Sequence, residues 1–187
     1  MLKVTVSAND ALSIVSAIKK HNNTLQSCIS SSSPGSNSFR FMSTPREGST
    51  RKLSPGLDIN AMRTESTRLE KDVRSIERAI YAFNSSTLVE FDGETYTVSQ
   101  ALNEIRDAGV NANKHYNNAS SNVSYNFVEG DDLDGLTNIS DTTALAVESV
   151  AKKVGLKSAV AFANSSVSVT FECESEFVSE IVAPFKQ

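Results

Sequence analysis

Tryptophan is missing from this chain, and all aromatics together make up only 7% of its 187 residues. Cysteine is scarce too. Cys28 and Cys173 form no C-x-x-C pair, so they read as two reduced thiols rather than a disulfide frame or redox motif. The only histidines are His21 and His115, each on a predicted helix face. No G-x-S-x-G, H-E-x-x-H, Walker-type loop or G-x-G-x-x-G occurs, so no reaction class has a motif behind it. No run is long and apolar enough to span a bilayer, and Met1 to Val6 lacks the apolar stretch of a signal peptide. The expected location is a cytoplasm, a host's if the chain is phage-encoded. The N-x-Ser/Thr triplets, among them Asn84 and Asn118, then reflect composition alone.

What is present is ordinary for a globular protein: 39% hydrophobic and 21% charged residues. The length suits a single domain, 1–187, able to bury a continuous core, with a flexible Ser/Pro/Gly-rich arm at about 30–56. Ser and Asn are plentiful, a composition compatible with a phage or bacterial source. Charge is uneven. Residues 40–78 hold nine Lys/Arg against six Asp/Glu, whereas residues 79–187 hold six against fifteen. A basic middle and an acidic C-terminal half can steer partners or pair subunits.

Leu2, Val4 and Val6 alternate with polar residues and predict a short strand. Ser7, three before Asp10, predicts a helix start. Ile14, Ile18, His21, Leu25 and Cys28 then recur at helical steps, predicting an amphipathic helix of about six turns. Leu57 to Phe83 is the strongest helix. Met62, Leu69, Val73, Ile76, Ile80 and Phe83 form a heptad seam, with Ser66 its one polar position. Thr87–Phe91, Asp92-Gly93 and Glu94–Val98 predict a hairpin, since a type I′ turn needs positive φ at both central residues. Ser99 is expected to cap a third helix through Ala101, Leu102, Ile105, Ala108 and Ala112, fraying before Asn122. A strand Val123–Val128 and an acidic loop are expected next. Asp141 is expected to cap a fourth helix through Val154 that continues past Gly155 to about Ala163, and Val167–Cys173 to form a closing strand, with Glu174 and Glu176 on one face of its edge. The tail from Phe177 is ambiguous. The fold class expected is mainly α (α+β): long antiparallel helical hairpins with a small antiparallel sheet built from the central hairpin and the terminal strands. Val4-Thr5-Val6-Ser7 before Ala11-Leu12 is echoed by Tyr96-Thr97-Val98-Ser99 before Ala101-Leu102, suggesting two related helical hairpins.

Ile76, Ile80, Asn84 and Thr87, leading into Asp92-Gly93, Tyr96, Thr97 and Ala101-Leu102, form a pattern that resembles the septicolysin-like family of small bacterial proteins. It is similar to that family's long helix ending in an Asn-containing turn, a Gly hairpin and an Ala-Leu helix start. Arg106-Asp107 is similar to the family's Arg-Asp pair, one position late. Leu156 to Phe171 with Asn164 is similar to its closing helix-Asn-strand, although Ser165 stands where the family has Trp. The resemblance implies a helical-hairpin fold and oligomerisation, and no reaction.

Two sets of residues are candidates for chemistry. Asp132, Asp134 and Asp141 fall at liganding positions of an EF-hand loop aligned on Gly135, but its first position would be Gly130 and its last is not Glu. An acidic turn explains them, and no metal or other cofactor is assigned. The arm carries Phe39, Arg40, Phe41, Arg46, Arg51 and Lys52. Forked guanidinium donors and rings of this kind suit an anionic ligand. The expected function is a non-catalytic structural or interaction protein that self-assembles as a homo-oligomer through long amphipathic helices. The alternative is a small-ligand binder sequestering an anionic nucleotide-type signal in counter-defence. Extended nucleic acid fits poorly with a pI of about 5.3.

Overall fold

The structure is a computed structural model describing residues 2–31, 58–125 and 133–185. The elements follow the order β1 (Leu2–Ser7), α1 (Ala8–Ser31), α2 (Ile59–Ser86), β2 (Leu88–Phe91), β3 (Glu94–Thr97), α3 (Val98–Tyr125), α4 (Leu133–Ser166), β4 (Ser168–Cys173) and α5 (Glu176–Val182). A 3-10 turn, Ala183–Phe185, follows. The fold is mainly α with small antiparallel sheets, as the sequence pattern predicts. Its strands form two separate two-stranded sheets, β1 with β4 and β2 with β3, where one shared sheet was expected. Among the described residues, no helix is long and apolar enough to cross a membrane. The chain divides into two compact units, Met1–Tyr81 with Ser168–Gln187, and Ala82–Val167.

In the first unit, β1 and β4 pair with Val4 opposite Phe171 and Val6 opposite Val169. Period-two alternation puts those four side chains on one buried face. Ser7 then starts α1: its Oγ accepts the Asp10 N–H at 3.1 Å and donates to the Asp10 carboxylate at 2.6 Å. Ala11, Ile14, Val15, Ile18 and Ile29 form the buried stripe of α1. On α2, the heptad seam is buried at Ser66, Leu69 and Ile76 and half-buried at Met62, Val73 and Ile80. Each fully buried Leu or Ile is worth about 1.5–3 kcal/mol, so the seam anchors the unit. Ser66, the seam's polar position, is tied to α1: it accepts from Gln26 Nε2 and donates to Asn22 Oδ1, both at 2.6 Å. The tail left ambiguous by the sequence is helical. Ser175 caps α5, whose Val178 and Val182 are buried. Glu174 and Glu176 therefore share no strand face, because β4 ends at Cys173 and Glu176 opens α5.

In the second unit, Asp92 (φ 53°) and Gly93 (φ 78°) make the expected positive-φ hairpin turn. The cap of α3 is Thr97 rather than Ser99. The Gln100 N–H donates to Thr97 Oγ1 at 3.1 Å, and Gln100 Oε1 accepts the Thr97 N–H at 2.8 Å, a reciprocal capping box. α3 and α4 run antiparallel with the most extensive contact among the described elements. Their buried residues are mostly alanines, Ala101, Ala108, Ala112 and Ala119 facing Ala146, Leu156, Val160 and Ala163, and small residues let helix axes approach closely. Three expectations fail here. α3 does not fray before Asn122 but continues to Tyr125, so Val123 to Tyr125 are helical, and the rest of that expected strand lies outside the described residues. Elongating an existing helix costs little, and the buried Ala119 keeps the seam going. α4 begins at Leu133, not after a cap at Asp141.

Candidate functional site

The second unit carries a groove of about 510 Å³ between the β2–β3 hairpin and one side of the α3–α4 pair. Phe91, Asp92, Glu94 and Tyr96 wall it from the hairpin. Helical periodicity supplies the floor: Glu104, Asp107, Asn111 and His115 recur at three- and four-residue steps on α3, as do Leu145, Glu148 and Lys152 on α4. Five carboxylates thus line it against one ammonium group.

Two polar pairs organise the walls. Lys152 Nζ donates to Glu104 Oε2 at 2.7 Å across the helix pair. That hydrogen bond holds the Lys152 ammonium above its ordinary value, with burial opposing. The Tyr96 hydroxyl donates to Glu94, which raises the phenol above its ordinary value and so keeps it neutral. Phe91 is seated by Gly155. A Cβ at position 155 would overlap the Phe91 ring, with Cδ2 and Cζ at 2.8 Å, so this glycine makes room for an aromatic wall.

The first unit has its own polar cluster. Asp72 is 1% exposed, and its carboxylate accepts the N–H of Glu174 at 2.8 Å and of Ser175 at 2.9 Å. Burial pushes its carboxyl up from the usual range, and these backbone donors pull it partly back. Ser175 Oγ donates to Glu65 at 2.6 Å. His21, predicted on the first helix's seam, is half-buried and stacks on Phe177 with ring centroids 4.0 Å apart and planes 8° from parallel. This cluster pins the start of α5 and leaves its donors and acceptors engaged.

The arm residues Phe39, Arg40, Phe41, Arg46, Arg51 and Lys52 lie outside the described residues, as does Asp132. Asp134 and Asp141 belong to the continuous helix α4, which overturns the expected acidic turn and rules out an EF-hand loop over that stretch. Among the described residues, no group of three His, Cys, Asp or Glu is placed to hold a metal ion. Sequence reasoning placed His115 on a helix but missed the groove. Its residues come from the hairpin and two helices, and only the polar residues Glu104, Asp107, Asn111 and His115 at three- and four-residue steps on α3 signalled it. No family model matches the chain, and no curated protein or solved structure matches it either. None of these comparisons bears on the septicolysin-like resemblance.

Proposed function

We propose that this protein is a non-catalytic interaction protein that self-associates through the exposed face of its α3–α4 hairpin. One observation carries the reading: beside a buried seam made mostly of alanine, α4 leaves three regularly spaced valines in water. Val147, Val150 and Val154 recur at three- and four-residue steps along α4, and Val147 and Val154 are 56% and 60% exposed. Val110 of α3 is exposed as well. β-branched residues gain nothing on a solvated helix face and give up χ1 freedom there. A stripe at heptad-like spacing beside a buried seam is the geometry of a second helical contact.

The polar groups buried in the described residues support a structural reading. Ser66, Asp72 and Ser175 are all consumed in hydrogen bonds that join elements. A catalytic group needs free hydrogen-bonding capacity aimed at a substrate. The second unit's groove is acidic and repels anions, so the nucleotide-sequestering alternative draws no support from it.

Sedimentation equilibrium across a concentration series tests the proposal. The native chain is expected as a reversible oligomer. Val147→Lys with Val154→Lys is expected to shift it to monomer with helical circular dichroism unchanged. A native chain that stays monomeric throughout, or a double variant of unchanged mass, overturns the proposal.

A further inference from the structure

The element order β1-α1-α2-β2 is repeated as β3-α3-α4-β4. The repeat is in register. Setting Ser7 on Thr97 superposes two helix starts capped by the same side-chain-to-N–H bond, three residues on. Buried Ala11, Ile18 and Ile29 then fall on buried Ala101, Ala108 and Ala119. Setting Ser86 on Ser166, the two helix ends, puts buried Ser66, Ile76 and Phe83 on buried Ala146, Leu156 and Ala163. Val89 and Phe91 fall on Val169 and Phe171.

The halves part after their second strand. β2 turns back at Asp92-Gly93 into β3, whereas β4 leads through Ser175 into α5. In the first unit α5 and its cap cover the helices: Phe177 stacks on His21, Glu174 and Ser175 at the entry to α5 bond Asp72, Ser175 bonds Glu65, and α5 shares a surface with Arg68. In the same register His21, Glu65, Arg68 and Asp72 fall on Asn111, Leu145, Glu148 and Lys152. All four line the groove of the second unit. The second unit leaves open the helical face that the first unit covers with a short helix of its own.

From this correspondence we infer that the groove is a docking site for one or two turns of a basic amphipathic helix from a partner protein. The inference rests on reading the chain as an interaction protein and is independent of self-association. The seat's shape comes from α5, which buries Val178 and Val182, four residues apart, and lays Phe177 on His21. The sign of the occupant comes from the lining. Two of its five carboxylates are paired, Glu104 with Lys152 and Asp107 with Arg106, and the other three, Asp92, Glu94 and Glu148, leave it acidic, which opposes an acidic helix and attracts lysine or arginine. The Phe91 and Tyr96 walls suit the aliphatic stems and the cations of such residues. The α5 of a second copy is excluded, because it carries Glu176 and Glu180 and its valines are already buried.

A labelled peptide with the sequence of residues 175–182, carrying Glu176→Lys and Glu180→Lys, is the probe, titrated with the full-length chain by fluorescence anisotropy. Saturable binding that weakens with salt is expected, with none for the unaltered acidic peptide. Asp107→Lys with Glu148→Lys is expected to weaken binding at least about tenfold, a loss on the scale of a truncated interface charge. Asn111→Trp, which fills the groove without changing charge, should do the same. No saturable binding, or equal binding to both variants, overturns the inference. A peptide of residues 36–53 that binds the groove more tightly would also overturn it, by replacing the foreign partner with the chain's own basic segment. The Val147→Lys, Val154→Lys chain should keep full peptide binding. Retention there separates the groove from self-association, and loss of binding there overturns the inference.

Discussion

Gly155→Ala sets two known effects against each other at one atom. Position 155 is interior to α4, where alanine is favoured over glycine by about 0.8–1.0 kcal/mol. Propensity alone therefore predicts a stabilised protein. The new Cβ, however, would overlap the Cε2 edge of the Phe91 ring. The ring must swing away and lose its packing on α4, an overpacking cost of about 1–3 kcal/mol. The net expectation is destabilisation by about 1 kcal/mol, the difference of these two ranges near their centres. Removing the ring first should reverse the sign. On a Phe91→Ala background the overlap is gone, and Gly155→Ala should stabilise by close to the full propensity gain of about 1 kcal/mol. The coupling between the sites is thus about 2 kcal/mol, well above the few tenths expected of independent positions. Urea unfolding of the four proteins in the cycle, followed by circular dichroism, measures it. Equal stabilisation by Gly155→Ala with and without Phe91 would refute the claim that this glycine exists to seat the ring.

Two further outcomes are expected from single sites. Asp72 holds its proton more tightly in the folded chain than unfolded, so the stability it contributes is fully present below the ordinary carboxyl value and is lost as pH rises through the raised one. The stability difference between the native chain and Asp72→Asn, from urea midpoints across a pH series, should therefore fall with rising pH from just below 4 upward, then level off. A difference that is constant, or grows with pH, contradicts the burial argument. Ser7→Ala and Thr97→Ala each remove the side-chain acceptor of a helix start and should each cost about 1 kcal/mol in thermal or urea unfolding. A loss near zero at either would show that its helix start does not depend on the cap.

Which parts of this molecule could be read from the sequence depends on whether the signal was local. Met62, Leu69, Ile76 and Phe83 announce α2, because large apolar side chains at heptad steps admit no other regular structure. Asp92-Gly93 announces its turn because few other pairs tolerate positive φ twice. The start of α4 misled. Asp134 and Gly135 are turn formers by composition, yet both lie within the first turn of α4. Asn- and Ser-rich residues at the end of α3 misled in the same way. Their low propensity is real, but Ala119 sits on the buried seam and carries the helix through.

The groove was hidden for a different reason, and the internal echo held the means to find it. Followed only from Ser7 to Leu12, the echo is a pair of capped helix starts and says little. Followed along both helices, it places Lys152 where the first half has Asp72, and Glu148 where it has Arg68. Both positions invert charge while the buried positions around them stay apolar or small. A duplicated scaffold that keeps its core and reverses the charges facing one seat has separated the seat's occupant from the scaffold's stability. In the first unit Asp72 holds the entry to the chain's own α5 through the backbone N–H groups of Glu174 and Ser175. In the second, Lys152 turns instead to Glu104 across the helices and Arg106, outside the lining, pairs with Asp107, so that among the described residues Asp92, Glu94 and Glu148 have no ion-pair partner. Retention without occupancy is costly for a surface that only has to stay folded, since like charges on one face repel. The acids are explained when a cation-bearing partner supplies the missing counter-charge.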